Sequence, residues 1–350
     1  MKRIVSILLI CVLMLGMVSC KANKEEIHVI WSDLSDPYLA TIADAVDRAM
    51  YIKNIRYSHV DSKGSAETQL SQVDSALATG AGVVVVSAVD AETSSVIVER
   101  ARAKDAYVVF LCCEVAETVA MSYEKCVVVD VDFDSLGETL GTKIVADMLG
   151  DKYFKKGTVD SDAYAAFDRN GDGEITYLIL GDETKFTACI EYINGELGKA
   201  DRVPMKAHEA NGSELALSEL LSQYNDAAGA TPELLLVSDD DLVESALLEL
   251  RAKDFNYTML KTHFIPFYTI GIAAAAGNLI PDKDEEERAA YSVLNTIDNG
   301  YVSAAALEDD DALAIALCTV LSNIVKEKDL FAKVDYVSGR NISVPYTIYG

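Results

Sequence analysis

Basic residues are scarce in this chain. Only 30 Lys and Arg stand against 56 Asp and Glu, a formal net charge of −26 over 350 residues. Nucleic acid and anionic membrane faces repel a surface of that sign, so neither is an expected partner. The four histidines, His28, His59, His208 and His263, are scattered without H-x-x-x-H spacing. No metal-hydrolase, P-loop or nucleophile-elbow pattern occurs, and no enzyme is expected. Cysteine is sparse too. Beside Cys11 and Cys20, Cys112, Cys113, Cys126, Cys189 and Cys318 lie mostly in apolar runs with no C-x-x-C spacing. They read as small core residues or free thiols, not as a disulfide framework or a zinc site. Long apolar runs are also missing after the first twenty residues.

Those first residues stand apart. Lys2 and Arg3 precede the apolar run Ile4 to Met17, which is too short with its flanks for a comfortable membrane span. Met17-Val18-Ser19-Cys20 and a polar stretch follow. This resembles a bacterial lipoprotein signal, with residues 1–19 removed, Cys20 lipidated and 20–26 a linker. The resemblance implies an exported protein, tethered to a membrane through its lipid alone.

From Ile27 onward, strand and helix patterns alternate. Strand patterns cover Ile27–Ser32, Ile55–Val60, Val83–Val86, Tyr107–Leu111 and Cys126–Val131, with amphipathic helices between them. A longer helix, Ser135–Leu149, is followed by polar sequence. The alternation then restarts with strands at Ile175–Leu180, Val203–Ala207, Leu234–Val237, Ile265–Ile272 and Tyr301–Leu307. Helices are expected over Phe186–Leu197, Ser213–Tyr224, Leu242–Ala252, Glu285–Asn299 and Asp311–Lys326, and a last strand over Ser343–Ile348. Repeated β-α units imply an α/β fold with parallel sheets covered by helices. Two such halves place the expected ligand beyond the carboxyl ends of the strands, in the cleft between lobes.

Asp168-Arg169-Asn170-Gly171-Asp172-Gly173-Glu174-Ile175-Thr176 carries the front of a calcium loop of the D-x-[DN]-x-[DN]-G type. Ca²⁺ takes six to eight oxygens, here from Asp168, Asn170 and Asp172, then Glu174 at position seven and Thr176 at position nine. Position twelve, a Glu in the helical EF-hand, is Ile179 inside an apolar run. A strand therefore leaves the loop, and the last carboxylate must come from elsewhere.

The chain resembles type I periplasmic sugar-binding proteins, most closely the galactose/glucose-binding branch. The resemblance rests on Asp36-Pro37-Tyr38 opening a helix, Ala88-Val89-Asp90 after the third strand, Val96 to Arg102 leading to Val108-Val109-Phe110, the calcium loop, and the ending Ser343-Val344-Pro345-Tyr346. It implies a two-lobed fold, with 27–132 plus 309–333 as one lobe and 133–308 plus 334–350 as the other. It also implies hinge closure on a small solute. Glu233, leading Leu234–Val237, matches the missing structural-calcium ligand. Of the sugar-contacting positions, Asp36 and Tyr38 match the branch. Cys112-Cys113 replaces an Asn-Lys pair, a His, Asp and Arg cluster is reduced to Gly181–Cys189, and the stacking Trp aligns near Asn211. Later positions fall near Asp239, Gly271 and Glu308. The remaining acids predict an Arg-poor cleft suited to a sugar or polyol, or to an amine. Asp36, Asp239 and Asp309–Asp311 also stand at helix starts, where acids cap. The implied role is a monomeric solute-binding lipoprotein serving an ABC transporter permease or a chemoreceptor. The alternative is a sensory or scaffold lipoprotein of the same fold without transport.

Overall fold

The computed structural model describes residues 27–208, 231–239, 241–256, 263–272 and 293–350. Cys20 with its leader, Asn211, the expected helix Ser213–Tyr224 and the first part of the one expected from Glu285 lie outside the described residues. Two compact units form, one running to Asp130 and resuming over Ala314–Ile342, the other Val131–Leu313 with Ser343–Gly350.

The first unit holds a seven-stranded sheet. Its strands are β1 (Ile27–Trp31), β2 (Tyr57–Asp61), β3 (Val83–Val86), β4 (Tyr107–Leu111), β5 (Cys126–Val131), β11 (Val337–Ser338) and β12 (Asn341–Val344). The order is β11-β12-β5-β4-β3-β1-β2. Val85 faces Val29 on one side and Val109 on the other, all in parallel register. Val84, Val85 and Val86 are fully buried, as a strand covered on both faces requires. Each such side chain stabilises the fold by about 1.5–3 kcal/mol. At the edge, β2 (Tyr-Ser-His-Val-Asp) is partly exposed and carries polar residues. Asp36, Ser65 and Asp90 each accept an amide as N-caps of the helices Pro37–Lys53, Ala66–Ala78 and Ala91–Ala103. These caps sit where the strands deliver the chain.

The second unit holds β6 (Thr176–Leu180), β7 (Lys206–Ala207), β8 (Leu234–Val237), β9 (Phe267–Ile272), β10 (Ala304–Glu308) and β13 (Thr347–Tyr349). Their order is β13-β10-β9-β8-β6-β7. The helix Phe133–Leu149 packs on Thr187–Lys199 through glycines. A Cβ on Gly137 would stand 2.7 Å from the Ala188 Cβ, and one on Gly141 2.7 Å from the Tyr192 ring. Two short helices, Tyr153–Lys156 and Ser161–Phe167, fill the stretch read as polar loop.

The expected α/β fold of helix-covered, mostly parallel sheets is present, and one expectation, the last strand, is corrected. The sheets are mostly parallel but mixed, since β11 pairs antiparallel with β12, and β13 with β10. The expected last strand is two: Pro345 lacks an N–H and breaks it, so β12 joins the first sheet and β13 the second. In the structure residues 334–342 lie with the first unit and 309–313 with the second. Among the described residues, no helix is long and apolar enough to cross a membrane.

Candidate functional site

The loop between the helix Ser161–Phe167 and β6 is closed by Glu233. Its Oε1 accepts the amides of Arg169 at 2.8 Å and Asn170 at 3.2 Å. Its Oε2 accepts the Thr176 amide at 3.1 Å and hydroxyl at 3.3 Å. The Arg169 guanidinium reaches back to the Pro232 carbonyl at 2.6 Å. Glu233 is 2 % exposed. Burial raises its carboxyl pKa, and the amides of Thr176, Asn170 and Arg169 partly offset this. Gly171 and Gly173 both take positive φ, as the turn demands. Tyr164 donates to the Gly173 carbonyl at 3.1 Å.

The loop oxygens are engaged unequally. Asp168 Oδ2 accepts the Gly173 amide at 3.0 Å, whereas its buried Oδ1 has no partner among the described residues. Asn170 and Asp172 hydrogen-bond each other through their side chains at 2.9 Å, and the Asp172 carboxylate accepts the Glu174 amide at 2.8 Å. Glu174 lies 3.5 Å from the Lys206 ammonium. Among the described residues, no three His, Cys, Asp or Glu side chains converge as a metal cage. An all-oxygen donor set with an orphaned buried carboxylate oxygen nonetheless suits a hard cation.

At the strand carboxyl ends of the first unit, Asp36 serves as a cap. It accepts the Tyr38 amide at 2.8 Å, and Tyr38 is half-buried. Cys112 follows β4 at φ 47°, and its amide donates to the Val129 carbonyl at 3.0 Å. The Cys113 thiol faces the Val86 carbonyl at 3.7 Å, and burial pushes its pKa up to about 12. Cys113 is therefore a packing residue. Gln69 is a contributor the sequence did not single out. Fully buried, it donates to the Ser87 carbonyl at 2.9 Å and accepts the Val89 amide at 3.0 Å, fixing the segment after β3. A polar residue on the buried face of an amphipathic helix was the available sign.

The second unit changes the electrostatic reading. Asp239, after β8, pairs with the Lys185 ammonium at 2.6 Å and takes the Ser238 hydroxyl as well. Ser238 also accepts the Asp182 amide at 2.8 Å. Glu308, at the end of β10, accepts the Tyr346 hydroxyl at 2.9 Å. Asp309 caps the next helix through the Ala312 amide at 2.8 Å. Lys185 supplies a cation beside Asp239, a partner that the sequence reading of an acidic, Arg-poor cleft did not include.

The periplasmic binding protein domain matches residues 27–329. The chain belongs to that family. This binding-protein fold is shared with solved structures at low identity. The myo-inositol binding protein of Caulobacter, bound to myo-inositol, superposes with TM-score 0.54 at 15% identity, covering 94% of each chain. A solute-binding protein of Actinobacillus succinogenes with bound D-allose gives TM-score 0.58 at 14% identity, over 93% of this chain and 97% of that one. One from Chloroflexus aurantiacus in complex with D-glucose gives 0.57 at 15%, over 92% of each. In this family member the calcium-type loop and the strand-end positions belong to separate parts of the chain, the first supporting structure and the second facing the ends where open α/β sheets take ligands.

Proposed function

We propose that this chain is an exported solute-binding lipoprotein that captures a sugar or related polyol for an ABC importer or a chemoreceptor. The observation that carries the reading is the family match over residues 27–329, beside relatives of the same fold that hold myo-inositol, D-allose and D-glucose. The strand ends of the second unit favour a neutral polyol over an amine. Lys185 beside Asp239 neutralises one acid there, and Tyr346 donates to Glu308, giving donor–acceptor pairs that a hydroxyl can join from both sides. Asp36, Tyr38 and Cys112 are the proposed contacts of the first unit, while Cys113 packs behind them.

Calcium is proposed as a structural ion held by Asp168, Asn170, Asp172, Glu174, Thr176 and Glu233. Asp168 Oδ1 supports this, as a buried acceptor with no donor among the described residues. The ion ties the loop to β8 and supplies no chemistry to the solute. Cys20 is proposed as the lipidated residue.

A thermal-shift screen of sugars, polyols and amines in calcium buffer, followed by calorimetry, tests the reading. A polyol raising Tm supports it. Silence across the panel overturns solute capture and leaves the sensory or scaffold role. Mass spectrometry of the membrane fraction, compared with Cys20→Ser, decides the anchor.

A further inference from the structure

The second unit carries a cavity of about 590 Å³ at the amino ends of β9 and β10. This is the opposite pole of that sheet from the strand ends described above. The floor is apolar: Phe167, Pro266 and Tyr268 are buried, with Phe264 beside them. The rim is acidic. Asp147 and Asp298 line it; among the described residues no cationic side chain does, although Lys143 pairs with Asp147 from outside the lining.

Both carboxylates are fixed in place. The Asp147 oxygens accept the Tyr268 hydroxyl at 2.7 Å and the Lys143 ammonium at 2.9 Å. Asp298 Oδ1 accepts the Tyr349 hydroxyl at 2.8 Å. Each carboxylate retains lone pairs beyond these bonds. The backbone adds charge of the same sign. Asp147, Ala166-Phe167 and Asp298 stand in the last turns of the helices Phe133–Leu149, Ser161–Phe167 and Val293–Asp298, and helix carboxyl ends carry partial negative charge that favours cations.

We propose that this cavity is a second ligand site, taking a small organic amine with an aromatic or compact apolar body. The body enters against Phe167, Phe264 and Tyr268, and the ammonium lies at the rim between Asp147 and Asp298. The volume falls in the range of small-molecule sites. Aromatic walls attract a cation that is partly withdrawn from water. The site uses residues of the second unit alone, so it does not depend on the solute-binding reading.

Benzylamine is the probe, with benzyl alcohol as the uncharged control, in calorimetry and saturation-transfer NMR at pH 7 on the full mature chain. Benzylamine is expected to bind at least about tenfold tighter than the alcohol. Asp298→Asn weakens the amine about threefold, the scale of one exposed ion pair. Ala166→Trp, at an exposed rim position, blocks the cavity and removes binding while the far-UV melt is kept. Three results overturn the proposal: equal binding of amine and alcohol, benzylamine binding retained in Ala166→Trp, or wild-type binding weaker than about 10 mM. Should Ala166→Trp fail to fold, unchanged benzylamine affinity in Asp298→Asn overturns the placement of the ammonium.

Discussion

Glu233→Ala removes the clasp between the loop and β8. Three amides then lose their acceptor: those of Arg169, Asn170 and Thr176, now bonded at 2.8, 3.2 and 3.1 Å. Each buried donor left unmet costs about 1–3 kcal/mol. Water reaches the half-buried loop residues and recovers part of that cost. Removing a carboxylate that burial already disfavours recovers more. The expected loss is about 3 kcal/mol, the low end of the cost of breaking a buried charged network. At about 2–4 °C per kcal/mol in a unit of this size, Tm falls by about 6–12 °C. Glu233→Gln keeps the shape but turns an NH₂ group toward amide donors, and loses about 1–2 kcal/mol. Circular-dichroism melts in EDTA measure both variants. Repeating them in calcium separates the clasp from the ion, because the wild type gains Tm with calcium and Glu233→Ala does not. A Glu233→Ala melt within about 2 °C of wild type in EDTA refutes the clasp, and a calcium shift that survives the substitution takes Glu233 out of the metal site.

Other outcomes follow from the packing and the titrating groups. Gly137→Ala drives a methyl into Ala188, whose backbone carbonyl carbon would lie 2.9 Å from the new Cβ; urea denaturation is expected to show a loss of about 1–3 kcal/mol, and an unchanged midpoint refutes the close approach. Cys113, Cys126, Cys189 and Cys318 have thiols pushed up to about 12 by burial, so a thiol reagent at pH 8 leaves these four unmodified until denaturant is added; rapid native labelling of any of them contradicts this. Asp33, Asp90 and Asp182 have carboxyl pKa values lowered by bonds from Ser35, Thr93 and Thr184. Their stabilisation is full above the ordinary value of 3.8 and is lost as pH falls through and below it, so replacing all three by Asn flattens the acid limb of a stability–pH curve, and an identical acid limb counts against these hydrogen bonds.

Much of the fold was legible because its causes are local. Val83–Val86 reads as a doubly covered strand from four adjacent residues, and Asp168–Gly173 reads as an oxygen loop from alternate positions. The ending Ser343–Ile348 was not legible as two strands. Alternation continues across Pro345, and only the two separate sheets show that β12 and β13 part company there. The pairing at the strand ends was not legible for a similar reason. Asp239 looks uncompensated along the chain, because Lys185 lies 54 residues away.

The sequence by itself determined the alternation of strands and helices, the oxygen loop and the acidic surface, since periodicity, side-chain chemistry and net charge are properties of short windows or of the whole composition. Tertiary structure alone decided what those residues face. It set the oxygens of Glu233, which family resemblance had already matched to the loop, on three particular amides, and it set Lys185 against Asp239 and three helix ends around one cavity. Such pairings follow from sheet order and helix packing, which bring distant segments together, and no local pattern encodes the partner.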